Sequence, residues 1–246
     1  MSTWVLLRGL TREAGHWGDF PALFAAHLDG ARIIALDTPG NGQHHQARSP
    51  TRIADMVDAC RQQLDAMQVP PPYQVLAISL GGMVAAEWAR RYPDELRRCV
   101  LLNTSFRPFS PFFHRLQPRS YWPLLKGRLM GGRALEAAIL QVTSTRQDAH
   151  VLPVWLAIRQ HHPVSTANAL RQLLAAARFA APAAPPAVPI LLLNGAGDRL
   201  VSPRCSTAIA ATWGVPLRTH PTAGHDLTLD EPQWVAEQVA DWMGPR

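Results

Sequence analysis

Six short runs rich in Val, Ile and Leu constrain this chain more than anything else in it: "TWVLL" (3–7), "RIIALD" (32–37), "YQVLAI" (73–78), "RCVLLN" (98–103), "PILLLN" (189–194) and "VPLRTH" (215–220). They are almost continuously apolar rather than alternating, which is the pattern of strands covered on both faces. Helical periodicity fills most of the gaps. Ser49 and Pro50 read as the cap and first turn of a helix whose apolar face is Ile53, Met56, Val57, Cys60, Leu64 and Met67, stopped at Pro70, Pro71 and Pro72. Met83, Val84 and Trp88 continue a second helix to Arg91, ended by Tyr92 and Pro93, and Asp230 and Pro232 open a third that carries Val235, Val239 and Trp242. Strand alternating with helix predicts an α/β fold: a mainly parallel, doubly wound sheet of six strands with helices on both faces.

Strand signals vanish between 104 and 180. The pieces around 121–131, 132–142, 150–160 and 165–179 are helical in pattern, and Pro108, Pro111, Pro118, Pro123, Pro153 and Pro163 break them up. "APAAPPAVP" (181–189) then returns the chain to a strand as a stiff, Pro/Ala-rich connector. The expected organisation is a sheet core of residues 1–103 and 187–246, with a helical cap, 104–186, inserted into it. At 246 residues the chain is long enough to close such a core without staples.

Charge is distributed unevenly. Between Asn103 and Ala180 there are ten basic residues against Glu136 and Asp148, a local balance of +8 in a chain whose total is +6. The excess lies wholly in the inserted segment. The bland reading is a solvated face; the sharper one is a landing surface for an acidic partner such as a carrier protein, coenzyme A or an anionic membrane. Nucleic acid is not expected, because no binding module accompanies the charge. No apolar run approaches the roughly 18 residues that would cross a bilayer. The first residues, "MSTWVLLRGL", lack the basic flank of a signal peptide. Cys60, Cys99 and Cys205 are odd in number and scattered, so neither a disulfide framework nor a metal site is expected, and a reducing, cytoplasmic setting fits.

The chemistry concentrates at "VLAISLGGM" (75–83), where a strand runs through a serine into a helix. Residues two before and two after such a turn must be small or the two backbones collide, and Ala77 and Gly81 supply them. This is the logic of the G-x-S-x-G nucleophile elbow, with alanine as its first small residue: the turn lifts the Ser79 hydroxyl clear and aims free helix N–H groups beside it. Serine is a weak nucleophile at neutral pH, so it needs a base, and the base needs an orienting carboxylate. "NGAGDRLVSP" puts Asp198 on the loop after the fifth run, and "PTAGHDLTLDEP" puts His225 in the loop after the sixth. An oxyanion needs fixed N–H donors. Leu80 follows the serine, and Leu10 lies in "LRGLTREAGHW", where Gly9 lets the backbone turn close to a substrate.

These stretches, with "LDTPGNG" (36–42) and Trp17, resemble the α/β-hydrolase superfamily, and within it the small capped esterases; the chain is similar to the pimeloyl-carrier-protein methyl ester esterases of biotin synthesis. The resemblance spans nearly everything outside the cap. It implies Ser79 as nucleophile, Asp198 and His225 as the other triad members, the N–H groups of Leu10 and Leu80 as the oxyanion hole, ester hydrolysis through an acyl-enzyme, and no metal or organic cofactor. Two departures stand out: Arg8 occupies the place of a usual histidine before glycine, and the family's one or two strands ahead of that point are missing, which implies a shortened, six-stranded sheet.

Each residue also has a plainer reading. Asp198 could cap a helix beginning near Pro203, and His225 could be a solvated loop histidine like His44 or His45. Asp226 and Asp230 are poorer acids because they adjoin the histidine or cap the last helix, and Asn103, at the competing acid position, carries an amide. Asp37 satisfies backbone N–H groups in its turn. Trp17 and the aromatics Phe106, Phe109, Phe112, Phe113, Tyr121, Trp122, Trp155 and Phe179 are expected in the core, a few of them lining an acyl pocket. The expected activity is cleavage of small carboxylic esters. The alternatives are an esterase or thioesterase for acyl groups on an acidic carrier protein or coenzyme A, and a receptor that keeps the scaffold but only binds a ligand.

Overall fold

Alternate residues of each central strand feed opposite faces of one sheet. Val5, Leu7, Val75, Ala77, Cys99 and Leu101 join one apolar cluster, whereas Trp4, Leu6, Leu76, Ile78, Val100 and Leu102 join a second one behind the sheet. That double burial is why the strands read as unbroken apolar runs. The computed structural model describes residues 2–146 and 148–244. Its strands are β1 (Thr3–Leu7), β2 (Arg32–Leu36), β3 (Tyr73–Ile78), β4 (Leu96–Leu102), β5 (Ile190–Gly195) and β6 (Leu217–His220). All five pairings are parallel and the order is β2-β1-β3-β4-β5-β6.

Five helices flank the sheet: α1 (Phe20–His27), α2 (Ile53–Ala66) and α3 (Leu80–Arg91), then two later ones, Arg204–Trp213 and Pro232–Met243. α2, α3 and 204–213 cover the first cluster; α1 and 232–243 cover the second. Between β4 and β5 lie α4 (Phe112–Arg115), α5 (Tyr121–Met130), α6 (Gly132–Thr143), α7 (Val151–His161) and α8 (Thr166–Arg178) and, among the described residues, no strand. The helices after β5 follow as α9 (Arg204–Trp213), α10 (Leu227–Asp230) and α11 (Pro232–Met243). The two ends of the inserted stretch meet where the Ala181 N–H donates to the Arg107 carbonyl at 2.7 Å.

Two expected helix starts are corrected. Ser49 does not cap α2, whose N-cap is Arg52. Instead Ser49 is buried, donating through Oγ to the Pro39 carbonyl and through its N–H to the Asn168 side chain of α8, while its carbonyl accepts Arg171. Asp230 does not open α11, whose N-cap is Glu231. It is fully buried and accepts the Gly224 N–H, the Thr145 N–H and the Ser144 hydroxyl. The apolar face of α2 stops short of Met67, which lies just past the helix and is half exposed.

The strand order reverses between β1 and β3, so the connections from these two strands leave in opposite directions. A crevice opens beyond their carboxyl ends, the position at which open α/β sheets bind ligands. Residues 8–10 and Ser79 lie there.

Candidate active site

Ser79 has φ 56° and ψ −116°, outside the regions open to most L-residues. The surroundings impose this. Its N–H donates to the Leu102 carbonyl at 2.9 Å and its own carbonyl accepts the Thr104 hydroxyl at 2.8 Å, so the end of β4 grips it from both sides. α3 starts at the next residue. A Cβ on Gly81 would lie 2.5 Å from the Leu7 carbonyl oxygen and 2.7 Å from that of Arg8, so only glycine lets the first turn of α3 press against the end of β1. A Cβ on Gly9 would stand 3.1 Å from that of Ser79, which is how closely the loop after β1 passes the serine. Among the described residues, neither the Leu10 nor the Leu80 N–H donates to a protein acceptor.

His225 and Asp198 come together from the loops after β6 and β5. Nδ1 lies 2.7 Å from Oδ2, and the residues are 5% and 1% exposed. The other carboxylate oxygen, Oδ1, accepts the N–H groups of Leu200 and Val201 at 2.8 and 2.9 Å. Asp198 therefore fixes its own loop with one oxygen and the imidazole with the other. It does not cap α9, whose N-cap is Pro203. Among the described residues no hydrogen bond joins the Ser79 hydroxyl to His225. Both are anchored to the same strand end, Ser79 through Leu102 and the histidine loop through Asn103.

Asn103 was legible only as a missing acid. It sits at φ 46°; its amide donates to the Gly224 and His225 carbonyls at 3.0 and 2.8 Å, and its Oδ1 accepts the Gly195 N–H at 3.1 Å. One side chain thus pins the histidine loop to the ends of β4 and β5. Arg8 was legible only as a departure and Asp226 only as a rival acid; that they pair was missed. They form a buried ion pair with Nη2 to Oδ2 at 2.5 Å, and the guanidinium lies 4.7 Å from the ring centre of Trp17. Burial pushes the Asp226 carboxyl up, but the charge and hydrogen bonds of Arg8 outweigh it and hold the group below the usual carboxylate range.

The loop after β1 also reaches the inserted helices. Gln172 of α8 is fully buried; it accepts the Thr11 N–H at 2.8 Å and donates to Asn41 and Ser49. Arg12 pairs with Glu136 of α6 at 2.7 Å and lies over Trp155 of α7, while Glu13 meets His162 at 2.8 Å. His16, squeezed by burial and by Arg12 and Arg8, is held far below the usual histidine range and is neutral. A cavity of about 70 Å³ between this loop and the helices is lined by Thr11, Arg12, Ile139 and Ile158 among others. Asp37 accepts one N–H from its own turn, Gln43 at 3.0 Å, and a second from Ala14 at 2.7 Å.

Of the aromatics expected in the core, Phe106, Trp155, Phe179 and Trp17 are buried. Phe112 and Trp122 are not, at 74% and 68% exposed, and Phe113 and Tyr121 are also open. Among the described residues no cluster of three His, Cys, Asp or Glu is arranged to hold a metal, and no helix is long and apolar enough to cross a membrane.

A parallel sheet that reverses at β1 and β3, with a serine forced to positive φ between β3 and α3, defines a class of enzyme. The chain belongs to the α/β-hydrolase fold family, whose profile matches residues 5–232, and it is a hydrolase. It is similar to the pimeloyl-[acyl-carrier protein] methyl ester esterase of Pectobacterium carotovorum subsp. carotovorum, 27% identical over 96% of this chain and 91% of the relative. The enzyme of the same name from Yersinia enterocolitica is 24% identical over 92% and 91%. Among solved structures, the enol-lactonase from Burkholderia xenovorans shares the fold with a TM-score of 0.77 at 23% identity, covering 99% of this chain and 92% of that one. A thermophilic esterase from Thermogutta terrifontis does so with a TM-score of 0.74 at 21% identity, covering 99% and 89%.

Proposed function

We propose that this hydrolase cleaves carboxylic esters through an acyl-enzyme on Ser79, with residues 104–186 as a cap over the serine. His225 takes the Ser79 proton as Oγ attacks the ester carbonyl. Asp198 keeps Nδ1 protonated and so leaves Nε2 free to act. Charge on the carbonyl oxygen is met by the N–H groups of Leu10 and Leu80, each such donor stabilising the transition state by about 2.7–4 kcal/mol. His225 then gives its proton to the leaving alcohol, and water repeats the sequence in reverse roles to release the acid. The observation that carries this reading is the buried 2.7 Å contact between His225 and Asp198, tethered to the strand end that also grips Ser79. Labelling with a fluorophosphonate tests it: wild type is expected to give one adduct, at Ser79, that Ser79→Ala loses. Equal labelling of both refutes it, and an ester panel of varied acyl length then defines the substrate.

A second reading has support of its own: the acyl group arrives on an acidic carrier protein. The relatives named above carry that partner in their names, and the inserted helices carry the basic excess. Of the basic residues there, Arg115, Arg119 and Arg128 offer themselves first for charge reversal, but each is tied to the fold. Arg115 donates to the Ala176 carbonyl, Arg119 to that of Asp198, and Arg128 bonds Thr166, so reversing these charges breaks internal contacts. Lys126 and Arg133 are exposed and suit the test better. Reversing both is expected to slow turnover of a carrier-bound ester and spare a small soluble one; an equal effect on the two rejects the reading.

A further inference from the structure

Arg8 directly follows β1 and sits one residue before Gly9, whereas Asp226 directly follows His225. The two are 218 residues apart in sequence, yet the guanidinium grips the carboxylate with both ends, Nη1 to Oδ1 at 3.1 Å and Nη2 to Oδ2 at 2.5 Å. Both side chains are sealed from solvent. Thr228 accepts from Arg8 and donates to Asp226 at 3.2 Å, and the Asp226 N–H donates to the Thr143 carbonyl of α6 at 2.7 Å. Burying an ion pair is a poor route to stability, because desolvation offsets the attraction and an apolar pair of similar size often does as well. Its position is more telling than its strength.

We propose that the Arg8–Asp226 pair positions the site, locking the loop that carries the Leu10 N–H to the loop that carries His225 and cancelling a negative charge beside the imidazole. The inference rests on the esterase reading above. Among the described residues, the charged or titratable groups around His225 and Asp226 are Asp198 on the β5 loop, Arg8 and Arg12 on the β1 loop, neutral His16 behind them, and buried Asp230, which accepts the Gly224 N–H just before the imidazole at 2.7 Å. Asp198 is the carboxylate that orients the imidazole; Asp226, left unpaired, would be a second one competing for the same cation. Arg8 removes that competition and fixes the spacing of the two loops at once. Neither residue touches the substrate in this role.

Opposite charge changes on the two partners make the test. Arg8→Met leaves Asp226 unpaired and favours the imidazolium, so the acid limb of kcat/KM moves to higher pH. Asp226→Asn leaves Arg8 unpaired and moves that limb to lower pH, each by about half a pH unit. For both, kcat on a soluble nitrophenyl ester is expected to fall about tenfold with KM within about twofold, as for an interaction expressed in the transition state. Arg8→Lys, which keeps the charge, is expected to return the limb to its wild-type position. The double variant Arg8→Met/Asp226→Asn removes both charges at nearly the same volume, is expected to fold, and is expected to show an unshifted limb with the rate still reduced. Limbs that move the same way, or single variants with rates within twofold of wild type, overturn the inference. Wild-type protein that takes no fluorophosphonate at Ser79 overturns the esterase reading itself, before any variant is compared.

Discussion

Replacing Ser79 with glycine is expected to stabilise the protein while abolishing turnover. The serine holds φ 56° and ψ −116°, and a non-glycine residue kept in such a region costs about 1–3 kcal/mol. Glycine removes that strain but gives back about 0.5–1 kcal/mol through the greater freedom of its unfolded chain. The backbone bonds to Leu102 and Thr104 involve no side chain of Ser79 and persist in the variant. Net stabilisation is about 1 kcal/mol, a rise in Tm of about 2–4 °C for a chain of this length. Alanine is the control, because it removes the hydroxyl and keeps the Cβ, and so keeps the strain. Calorimetric melts of wild type, Ser79→Ala and Ser79→Gly, with fluorophosphonate labelling alongside, separate the two effects: both variants are expected to lose the label and only the glycine variant to melt higher. If Ser79→Gly melts at or below Ser79→Ala, the strain at the elbow is not what the backbone angles imply.

Asp198→Asn keeps an oxygen for the Leu200 and Val201 N–H groups but turns an amide toward Nδ1, so kcat is expected to fall about 10³–10⁴-fold with Tm little changed, measured by ester hydrolysis and melting. Gln172→Leu strands the Thr11 N–H and the polar groups of Asn41 and Ser49 in the interior, and urea unfolding is expected to show a loss of about 1–3 kcal/mol. Cys60 and Cys99 are buried thiols pushed up to about 12, so native protein is expected to resist thiol reagents that label it fully in denaturant. The sign of their pH effect follows: a raised native pKa leaves stability intact below the unfolded thiol range and erodes it between pH 9 and 12, by about 1.4 kcal/mol per pH unit for each thiol. Cys60→Ala is expected to lower that slope by about 1.4 kcal/mol per pH unit in pH-dependent urea melts.

The sheet was legible because its strands are buried on both faces and so write themselves as apolar runs, and Ser79, Asp198 and His225 because each follows such a run. What stayed hidden depends on partners far away in the chain. Ser49 next to Pro50 has the local signature of a helix start, but Asn168 and Arg171 of α8 claim its backbone and the helix begins later. Asp230 two residues before Pro232 has the same signature, yet it serves the turn around Ser144 and Thr145. α1 is short and apolar on nearly every side, so it offers no periodicity to read. Phe112 and Trp122 look like core by composition; only the packing of α4 and α5 shows that nothing covers them. Arg8 stood out as a departure from the family pattern, but its meaning lay with Asp226.

The segment from Arg8 to Glu13 has little of its own to hold it in shape. Thr11 stands at φ 57°, and the loop makes one internal backbone bond, Arg12 N–H to the Gly9 carbonyl at 3.2 Å. Everything else that fixes it comes from outside: Asp226 on one side, and Gln172, Glu136 and His162 on the other. On the esterase reading this loop carries the Leu10 N–H, so the geometry of an oxyanion donor is imported from α6, from α8 and from His162 at the end of α7. A passive lid governs entry, and loosening it would alter KM. Helices that hold a donor in place govern the transition state instead, since a donor misplaced by an ångström still admits substrate but meets the developing charge poorly. Perturbing the seat of α8 through Gln172 should therefore lower kcat more than it raises KM. A variant that raised KM alone would show that the inserted helices act on access and leave the donor untouched.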